Sequence, residues 1–212
     1  MSKMFMDQLL DPKRKRVFQK LSGFKKTAVL GGGTAMALQI SHRKSYDFDL
    51  FLEQPISLGL REKILAVFER KNLQILTGNK EELTFFTKEE VKITFLHFPF
   101  PPLHPLVTKL TVPLFNIKDL ASNKAYLLGR RPLYRDYIDI YFLLKQGLSL
   151  NQMIKEAEKR FKGGFSEKLF LEQITYFDDL SDFEIDFLKK DGPTPPEVKE
   201  FLAKKVEDYL RL

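Results

Sequence analysis

The chain of 212 residues is 43% hydrophobic and 30% charged, with a formal net charge of +7. This length suits one catalytic core with an appendage, and the composition is typical of a globular protein rather than a disordered one. The positive charge favours a polyanionic partner such as nucleic acid. The absence of cysteine excludes disulfides, thiolate zinc sites and a cysteine nucleophile. The three histidines lack HxxxH spacing, which argues against a histidine metal site.

The N-terminal segment is basic before any long apolar run begins. We therefore expect neither a signal peptide nor a membrane-spanning helix, and we expect the protein to be cytoplasmic. A first helix is predicted over residues 7–21. It contains the basic run KRKR at 13–16, which could contact phosphate but which we interpret as a solvated helix face.

The rest of the first half alternates strands and helices. A short strand at 27–30 runs into three glycines, after which Thr34 is predicted to cap an apolar helix that ends at Ile40. Acidic and apolar residues alternate over 47–52 as in a strand, and 59–71 has the spacing of an amphipathic helix. Three further strands, separated by polar turns that suit antiparallel pairing, are expected at 73–77, 83–87 and 91–97.

Prolines then interrupt regular structure, because each fixes φ and removes a backbone donor. Helical spacing continues from there to the C-terminus. The sequence therefore predicts an α+β fold, with a mixed-sheet domain over residues 1–116 and a helical region over residues 117–212. The helices of the second region are expected at 117–128, 136–145, 152–161, 167–177 and 196–210.

The segment GGGTAMALQISHRKSYDFDLF, residues 31–51, carries the chemistry. Asp47 and Asp49 stand two apart on a strand, so both carboxylates project from one face and can hold Mg²⁺ together with substrate phosphates and water. A glycine turn at a helix start lets backbone N–H groups approach a triphosphate closely. A metal held by the aspartates would stabilise the charge that develops at the α-phosphorus of the triphosphate during in-line attack. The glycine turn alone or the aspartate pair alone would be weak evidence for this site, because glycines also serve packing and two aspartates can simply flank a sheet edge.

Two other nucleotide-binding motifs do not fit these glycines. A P-loop needs Gly-Lys followed by Ser or Thr, whereas Gly33 is followed by Thr34 and Ala35. A dinucleotide fingerprint needs GxGxxG, and Met36 occupies the position of its last glycine.

The order Gly32-Gly33 and then Asp47-Phe48-Asp49 resembles the signature of the DNA polymerase β-type nucleotidyltransferase superfamily. The fuller string, which adds His42-Arg43 and Ser45, is similar more narrowly to the AbiEii/AbiGii toxin family of nucleotidyltransferases. That resemblance returns in ASNKAYLLGRRPLYRDYIDIYFLL, residues 121–144, which matches the family's lysine and Arg-Asp-x-x-Asp-x-Tyr elements. It covers about residues 27–145, and the matching positions of the second motif are Lys124, Arg135, Asp136, Asp139 and Tyr141.

The resemblance implies a nucleotidyltransferase-like mixed sheet and a toxin-like enzyme that transfers a nucleotide from a nucleoside triphosphate to RNA, such as tRNA, in the presence of Mg²⁺. It also implies a cognate antitoxin, and a helical region that completes the active-site groove. The site residues that it implies are metal ligands at Asp47 and Asp49, phosphate contacts at Gly32, Gly33 and Thr34, a triphosphate contact at Lys124, and Asp136 to complete the site.

Several of these positions have plain structural explanations as well. Lys124 lies on the apolar side of its helix, where a buried lysine requires an anion, although a lysine reaching the surface would look the same. Asp136 and Asp139 could complement the dipole of the helix they begin, and for Asp139 we adopt that interpretation. Arg43 and Lys44 could contact phosphate or acceptor RNA, or be solvated. A second basic group, which suits phosphate, comprises Arg130, Arg131 and Arg135.

The sequence departs from the superfamily at one position. A third carboxylate is expected on the strand at 91–97, but Thr94 stands there, and a hydroxyl is a poor metal ligand and no general base at neutral pH. Either Asp136 takes over part of that role or catalysis is weak. Two alternatives therefore stay open: a catalytically impaired nucleotide- or RNA-binding protein, and an enzyme of this fold that modifies a small molecule.

Overall fold

The computed structural model describes residues 8–128, 130–131, 133–180, 183–189 and 191–211. It divides into two compact units, Met1–Asn116 and Ile117–Leu212, each with its own core. The predicted start of the first helix at Asp7 lies outside the described residues. Among those residues, no helix is both long enough and apolar enough to cross a membrane.

Over its described residues, the first unit combines a five-stranded sheet with α-helices. The strands are β1 (Val29–Leu30), β2 (Phe48–Leu52), β3 (Gln74–Gly78), β4 (Glu82–Phe86) and β5 (Lys92–His97), in the order β1-β2-β5-β4-β3. The helices are α1 (Pro12–Lys20), α2 (Gly32–Ile40) and α3 (Leu58–Val67).

Strand pairing in the sheet is mixed. The strands β2 and β5 are parallel, whereas β1–β2, β5–β4 and β4–β3 are antiparallel. The predicted antiparallel arrangement of the three later strands is confirmed. Because residues paired across a sheet share a face, the register of β2, β5 and β4 determines which side chains lie beside the aspartates.

One face of the sheet forms the core of the first unit. Phe48, Leu50 and Leu52 of β2 are buried, and the residues between them are partly exposed, as period-2 alternation requires. The Phe48 ring stacks on Phe18 of α1 at 5.8 Å, and other phenylalanines extend this cluster over the inner face. Burial of one face leaves the opposite one, which carries Asp49, for polar chemistry.

The second unit is helical, with α4 (Ile117–Leu128), α5 (Tyr134–Lys145), α6 (Leu150–Phe161), α7 (Glu167–Thr175) and α8 (Pro195–Leu210). The predicted helices are confirmed with shifted ends. Ser149 caps α6 with a capping box, and Thr194 does the same for α8, where proline occupies the first turn. These caps explain why α6 and α8 begin slightly before their predicted positions.

A buried ion pair holds α4 against α6. Arg160 Nη1 lies 3.4 Å from Asp119 Oδ1 and donates to the Asp119 carbonyl oxygen at 2.9 Å, and both side chains have no exposed surface. Burial lowers the pKa of Arg160 to about 10, while the neighbouring Asp119 opposes this shift. A buried guanidinium of this kind serves the packing of the helices.

Candidate active site

The glycine turn at the end of β1 is closely packed at its first position. Gly31 is the N-cap of α2, and its N–H donates to the Asp49 carbonyl oxygen at 2.9 Å. A Cβ at Gly31 would lie 2.3 Å from the Phe51 ring. The helix therefore begins at Gly32 and is capped by a glycine, so the prediction that Thr34 caps it was wrong.

The next glycine lies against the carboxylate of the second aspartate. Gly32 has φ +62°, a conformation that favours glycine, and a Cβ there would be 2.1 Å from Asp49 Oδ2. The Asp49 carboxylate therefore occupies the space beside Gly32 that a side chain would fill, against the backbone at the start of α2. Because the first turn of a helix has N–H groups without intrahelical acceptors, the same place is suited to bind an anion.

Gly33 is packed against the loop that leads to the aspartates. A Cβ at Gly33 would lie 2.8 Å from both Arg43 Nη2 and Ser45 Oγ. Arg43 is buried and donates from Nη1 to the Lys44 carbonyl oxygen at 2.9 Å, whereas Lys44 itself is exposed. The Arg43 guanidinium thus contributes positive charge at the start of α2.

Asp47 and Asp49 flank the buried Phe48, and both are partly exposed. Asp47 immediately precedes β2 rather than lying within it. The buried Thr34 hydroxyl donates to the Asp47 carbonyl oxygen at 2.5 Å, which fixes the entry into β2. This hydroxyl hydrogen is used within the protein, and the phosphate contact predicted for Thr34 stays a prediction.

The basic run near the N-terminus also supports the aspartate loop. Arg14 of α1 donates from Nε to the Tyr46 carbonyl oxygen at 3.1 Å, and its guanidinium lies over the Tyr46 ring at 4.5 Å. The Arg14 side chain is only 19% exposed. Our interpretation of this run as a solvated face is therefore wrong for Arg14, although Lys13 is exposed and pairs with the exposed Glu90.

The residue beside Asp49 on the neighbouring strand is a hydroxyl residue. Asp49 pairs with Thr94 in the parallel register of β2 and β5. Among the residues that the structure describes, no group of three or more His, Asp or Glu side chains is arranged to hold a metal ion. The position beside Asp49 on the neighbouring strand therefore holds a hydroxyl rather than a third carboxylate.

A divalent cation fits this donor set in part. Mg²⁺ is bound in proteins through one or two carboxylates, with water and substrate phosphates as its remaining ligands. Asp47 and Asp49 supply the two carboxylates, and the glycine turn against Asp49 leaves no Cβ between that carboxylate and the helix start. These residues suit a cation that arrives with a triphosphate.

The second unit contains a separate buried charge cluster. Lys124 Nζ of α4 lies 2.6 Å from Asp136 Oδ1 and 2.6 Å from Asp139 Oδ2, both on α5. Arg131 Nε lies 2.9 Å from Asp136 Oδ2. The Lys124 side chain is 5% exposed, and neither carboxylate has exposed surface. The anion that a buried lysine requires is thus present within the chain.

Asp136 is held ionised by its neighbours. Burial raises its pKa, but the charges of Lys124 and Arg131 outweigh burial and lower the pKa below its ordinary value. Asp139 was expected to complement a helix dipole, and that interpretation was wrong. It lies in the second turn of α5, fully buried and ion-paired with Lys124.

The second basic group is divided between structural contacts and solvent. The Arg130 guanidinium lies 3.6 Å from the Tyr126 ring centroid and donates to the Gly164 carbonyl oxygen at 2.6 Å. Arg131 pairs with Asp136, and Arg135 is exposed. The predicted phosphate contacts of this group therefore rest chiefly on Arg135.

A mixed sheet with a glycine turn at a helix start, and with aspartates just before and within the adjacent strand, is the arrangement expected of a nucleotidyltransferase. The sequence profile of the family described as "Nucleotidyl transferase AbiEii toxin, Type IV TA system" matches residues 16–208. The chain therefore belongs to the AbiEii nucleotidyltransferase toxin family, and the resemblance identified from its two motifs is confirmed.

Other known proteins are similar to this chain in sequence or in fold. An uncharacterized protein of Aquifex aeolicus (strain VF5) is 28% identical over 187 residues, which are 85% of this chain and 87% of that protein. The fold is similar to MenT4, a nucleotidyltransferase toxin from Mycobacterium tuberculosis H37Rv, with a TM-score of 0.63 and 15% identity, covering 100% of this chain and 86% of that one. It is also similar to JHP933 from Helicobacter pylori, with a TM-score of 0.52, 16% identity, and coverage of 100% and 97%.

Proposed function

We propose that this nucleotidyltransferase transfers a nucleoside monophosphate from a nucleoside triphosphate to an RNA acceptor such as tRNA, with Mg²⁺ held by Asp47 and Asp49. The observation that supports this most is the contact of the Asp49 carboxylate with the backbone of Gly32, at the N-terminal turn of α2. This contact brings a carboxylate that could bind a metal next to backbone N–H groups that could bind a phosphate.

The residues of this face have complementary tasks in the proposal. Mg²⁺, when bound, offsets negative charge on the triphosphate and on the departing pyrophosphate. The N–H groups at Gly32 and Gly33 bind phosphate oxygens, and Arg43 adds a fixed positive charge beside them. Thr34 holds the Asp47 backbone in place through its hydroxyl, so that both carboxylates stay together.

The buried cluster of the helical unit is the second element of the proposal. In this proposal Lys124 contacts the triphosphate, and Asp136 holds the Lys124 ammonium in position. Lys124 Nζ lies 2.6 Å from each of two carboxylates. Because a lysine ammonium has three N–H donors, the third can donate to a phosphate oxygen while both carboxylates stay in place.

The partners follow from the chemistry and from the family. The net charge of +7 suits a polyanionic acceptor. Membership of a toxin family described as part of a type IV toxin–antitoxin system supports a cognate antitoxin protein as a further partner.

The test is incubation of the protein with each α-labelled nucleoside triphosphate, Mg²⁺ and total RNA, followed by a gel. We expect label in an RNA band, dependent on Mg²⁺ and lost in Asp47→Ala. Glu53→Gln, which changes an exposed acid just after β2, is the matched control and should retain activity. Equal labelling by Asp47→Ala and wild type would refute the assignment of Asp47.

One observation favours a second candidate. Thr94 stands beside Asp49 where a third carboxylate is expected, which would suit an impaired nucleotide- or RNA-binding protein. In that case nucleotide and Mg²⁺ would bind to the wild type without any transfer of label. Label in small molecules instead of RNA would indicate an enzyme of this fold with a small-molecule acceptor.

A further inference from the structure

A hydrogen-bonded chain begins at the residue beside Asp49. Thr94 of β5 pairs with Asp49 on one side and with Thr84 of β4 on the other, so the three side chains share one face of the sheet. Thr84 Oγ1 lies 3.1 Å from Thr94 Oγ1 and 2.6 Å from Glu82 Oε1. The superfamily pattern has a carboxylate at the position of Thr94. Here the Thr84 hydroxyl connects Thr94 to the carboxylate of Glu82.

The direction of the chain follows from the number of hydrogens available. An ionised carboxylate only accepts hydrogen bonds, and a hydroxyl has one hydrogen to donate. Thr84 must donate to Glu82, and it then accepts from Thr94. The order of donation is Thr94 to Thr84 to Glu82, which leaves a lone pair of Thr94 Oγ1 available to accept another hydrogen.

The two ends of the hydrogen-bonded chain reach solvent, and its middle member is buried. Thr94 and Glu82 are partly exposed, whereas Thr84 between them is 4% exposed. The buried link keeps water from competing for the hydrogen bond. Asp136, the other carboxylate considered for this role, has no exposed surface and is ion-paired with Lys124 and Arg131.

We propose that Thr94, Thr84 and Glu82 form a proton relay that takes the place of the third carboxylate; this inference rests on the proposed transfer reaction. The acceptor hydroxyl oxygen forms a bond to the α-phosphorus, and the bond from that phosphorus to the oxygen bridging to the β-phosphate breaks, releasing pyrophosphate. The acceptor's proton passes to Thr94 Oγ1, the Thr94 proton passes to Thr84 Oγ1, and the Thr84 proton passes to Glu82 Oε1. Thr94 contacts the reacting group, and Thr84 and Glu82 are positioning residues that act through it.

The experiment measures transfer rates at saturating nucleotide and Mg²⁺-nucleotide affinity by calorimetry. Glu82→Gln should lower kcat about 100-fold, the lower end for loss of a general base, with unchanged nucleotide affinity. Thr84→Val should have a similar effect, and Thr84→Ser should restore transfer. The matched control is Glu81→Gln, which changes an exposed neighbour that pairs with His97.

A bypass variant separates a relay from a merely structural contact. Thr94→Asp places a carboxylate directly beside Asp49, so the chain to Glu82 is no longer needed. In that background, Glu82→Gln should change kcat by less than about threefold. A structural role for Glu82 predicts instead the same loss with either residue at position 94.

Each other outcome overturns a defined part of the account. Wild-type kcat in Glu82→Gln or in Thr84→Val would overturn the relay and leave the transfer reaction standing. Nucleotide binding without transfer by the wild type would also overturn the relay, because the chain would then not replace a carboxylate. If the wild type neither binds the nucleotide nor transfers it, the proposed function itself is overturned.

Discussion

A single methyl group at Gly32 should separate the active site from the fold. The Cβ of Gly32→Ala would lie 2.1 Å from Asp49 Oδ2 and 3.0 Å from Asp49 Cγ. Ordinary van der Waals contact begins at 3.4 Å. The carboxylate oxygen must therefore move by about 1 Å, a displacement that at a catalytic group costs on the order of 100-fold in rate.

The cost to stability has a separate origin and a matched control. Gly32 has φ +62°, so an alanine there loses about 1–2 kcal/mol from the left-handed conformation. Gly147 has φ +96° and no atom within 4 Å of an added Cβ, so Gly147→Ala carries the backbone strain alone. Both variants should be destabilised in urea unfolding, and only Gly32→Ala should lose transfer of labelled nucleotide to RNA.

The comparison has a clear refuting result. If Gly32→Ala is folded and transfers nucleotide at the wild-type rate, then contact between Gly32 and the Asp49 carboxylate has no part in catalysis. If Gly147→Ala loses transfer to the same extent, the loss reflects backbone strain rather than displacement of Asp49.

Three further substitutions test other parts of the structure. Lys124→Met should lower the free energy of unfolding by about 3–5 kcal/mol, because it removes the ammonium between two buried carboxylates. Lys155→Met, at an exposed position, should change the free energy of unfolding little. Equal losses in the two variants would argue against a buried ion pair. The pKa of Asp136 is lowered below 3.8 on folding, so the unfolded state binds more protons in acid. Stability should therefore fall as pH drops below about 4 and through the lowered pKa, with a shallower slope in Asp136→Asn; an unchanged slope would contradict this. Thr34→Val should lower the free energy of unfolding by about 1 kcal/mol and reduce transfer, because it removes the hydrogen bond to the Asp47 carbonyl oxygen, whereas Thr34→Ser should keep wild-type stability and transfer. No difference between the two variants would show that this hydrogen bond is unimportant.

Most of the regular structure could be predicted because it depends on local patterns. Alternation identified the strand β2, and a strand-like run after a polar turn identified β5. Phe48 and Phe95 of these strands are buried. The helices of the second unit were predicted from apolar spacing, with ends shifted where capping boxes at Ser149 and Thr194 set the start. The position of Asp47 just outside β2 was not predicted, because alternation alone does not determine where strand pairing begins.

The contacts that build the site were predicted less well, because they join distant parts of the chain. Arg14 and Tyr46 are 32 residues apart, and a basic run does not indicate which of its members reaches a loop. Asp139 was interpreted from its own helix, although its partner Lys124 lies on the preceding one. A lysine on the apolar side of a helix, followed by acids at the start of the next, was the available signal.

Glu82 could have been found from two patterns together. It stands two residues before Thr84, so both share a face of β4, and the polar turn before β5 predicts antiparallel pairing with Thr94. The register itself is not legible in the sequence, since a shift of one residue would turn Thr84 to the core. That register is what places a carboxylate within two hydroxyls of Asp49.

The central claim is tested most directly by following both products of the reaction. The wild type is incubated with a nucleoside triphosphate, Mg²⁺ and RNA; the RNA mass is then measured by mass spectrometry, and pyrophosphate is quantified. We predict that the RNA gains whole nucleoside monophosphate units with an equal amount of pyrophosphate, and that Asp49→Asn produces neither. Unchanged RNA mass with release of inorganic phosphate, or equal product from Asp49→Asn, would contradict the account.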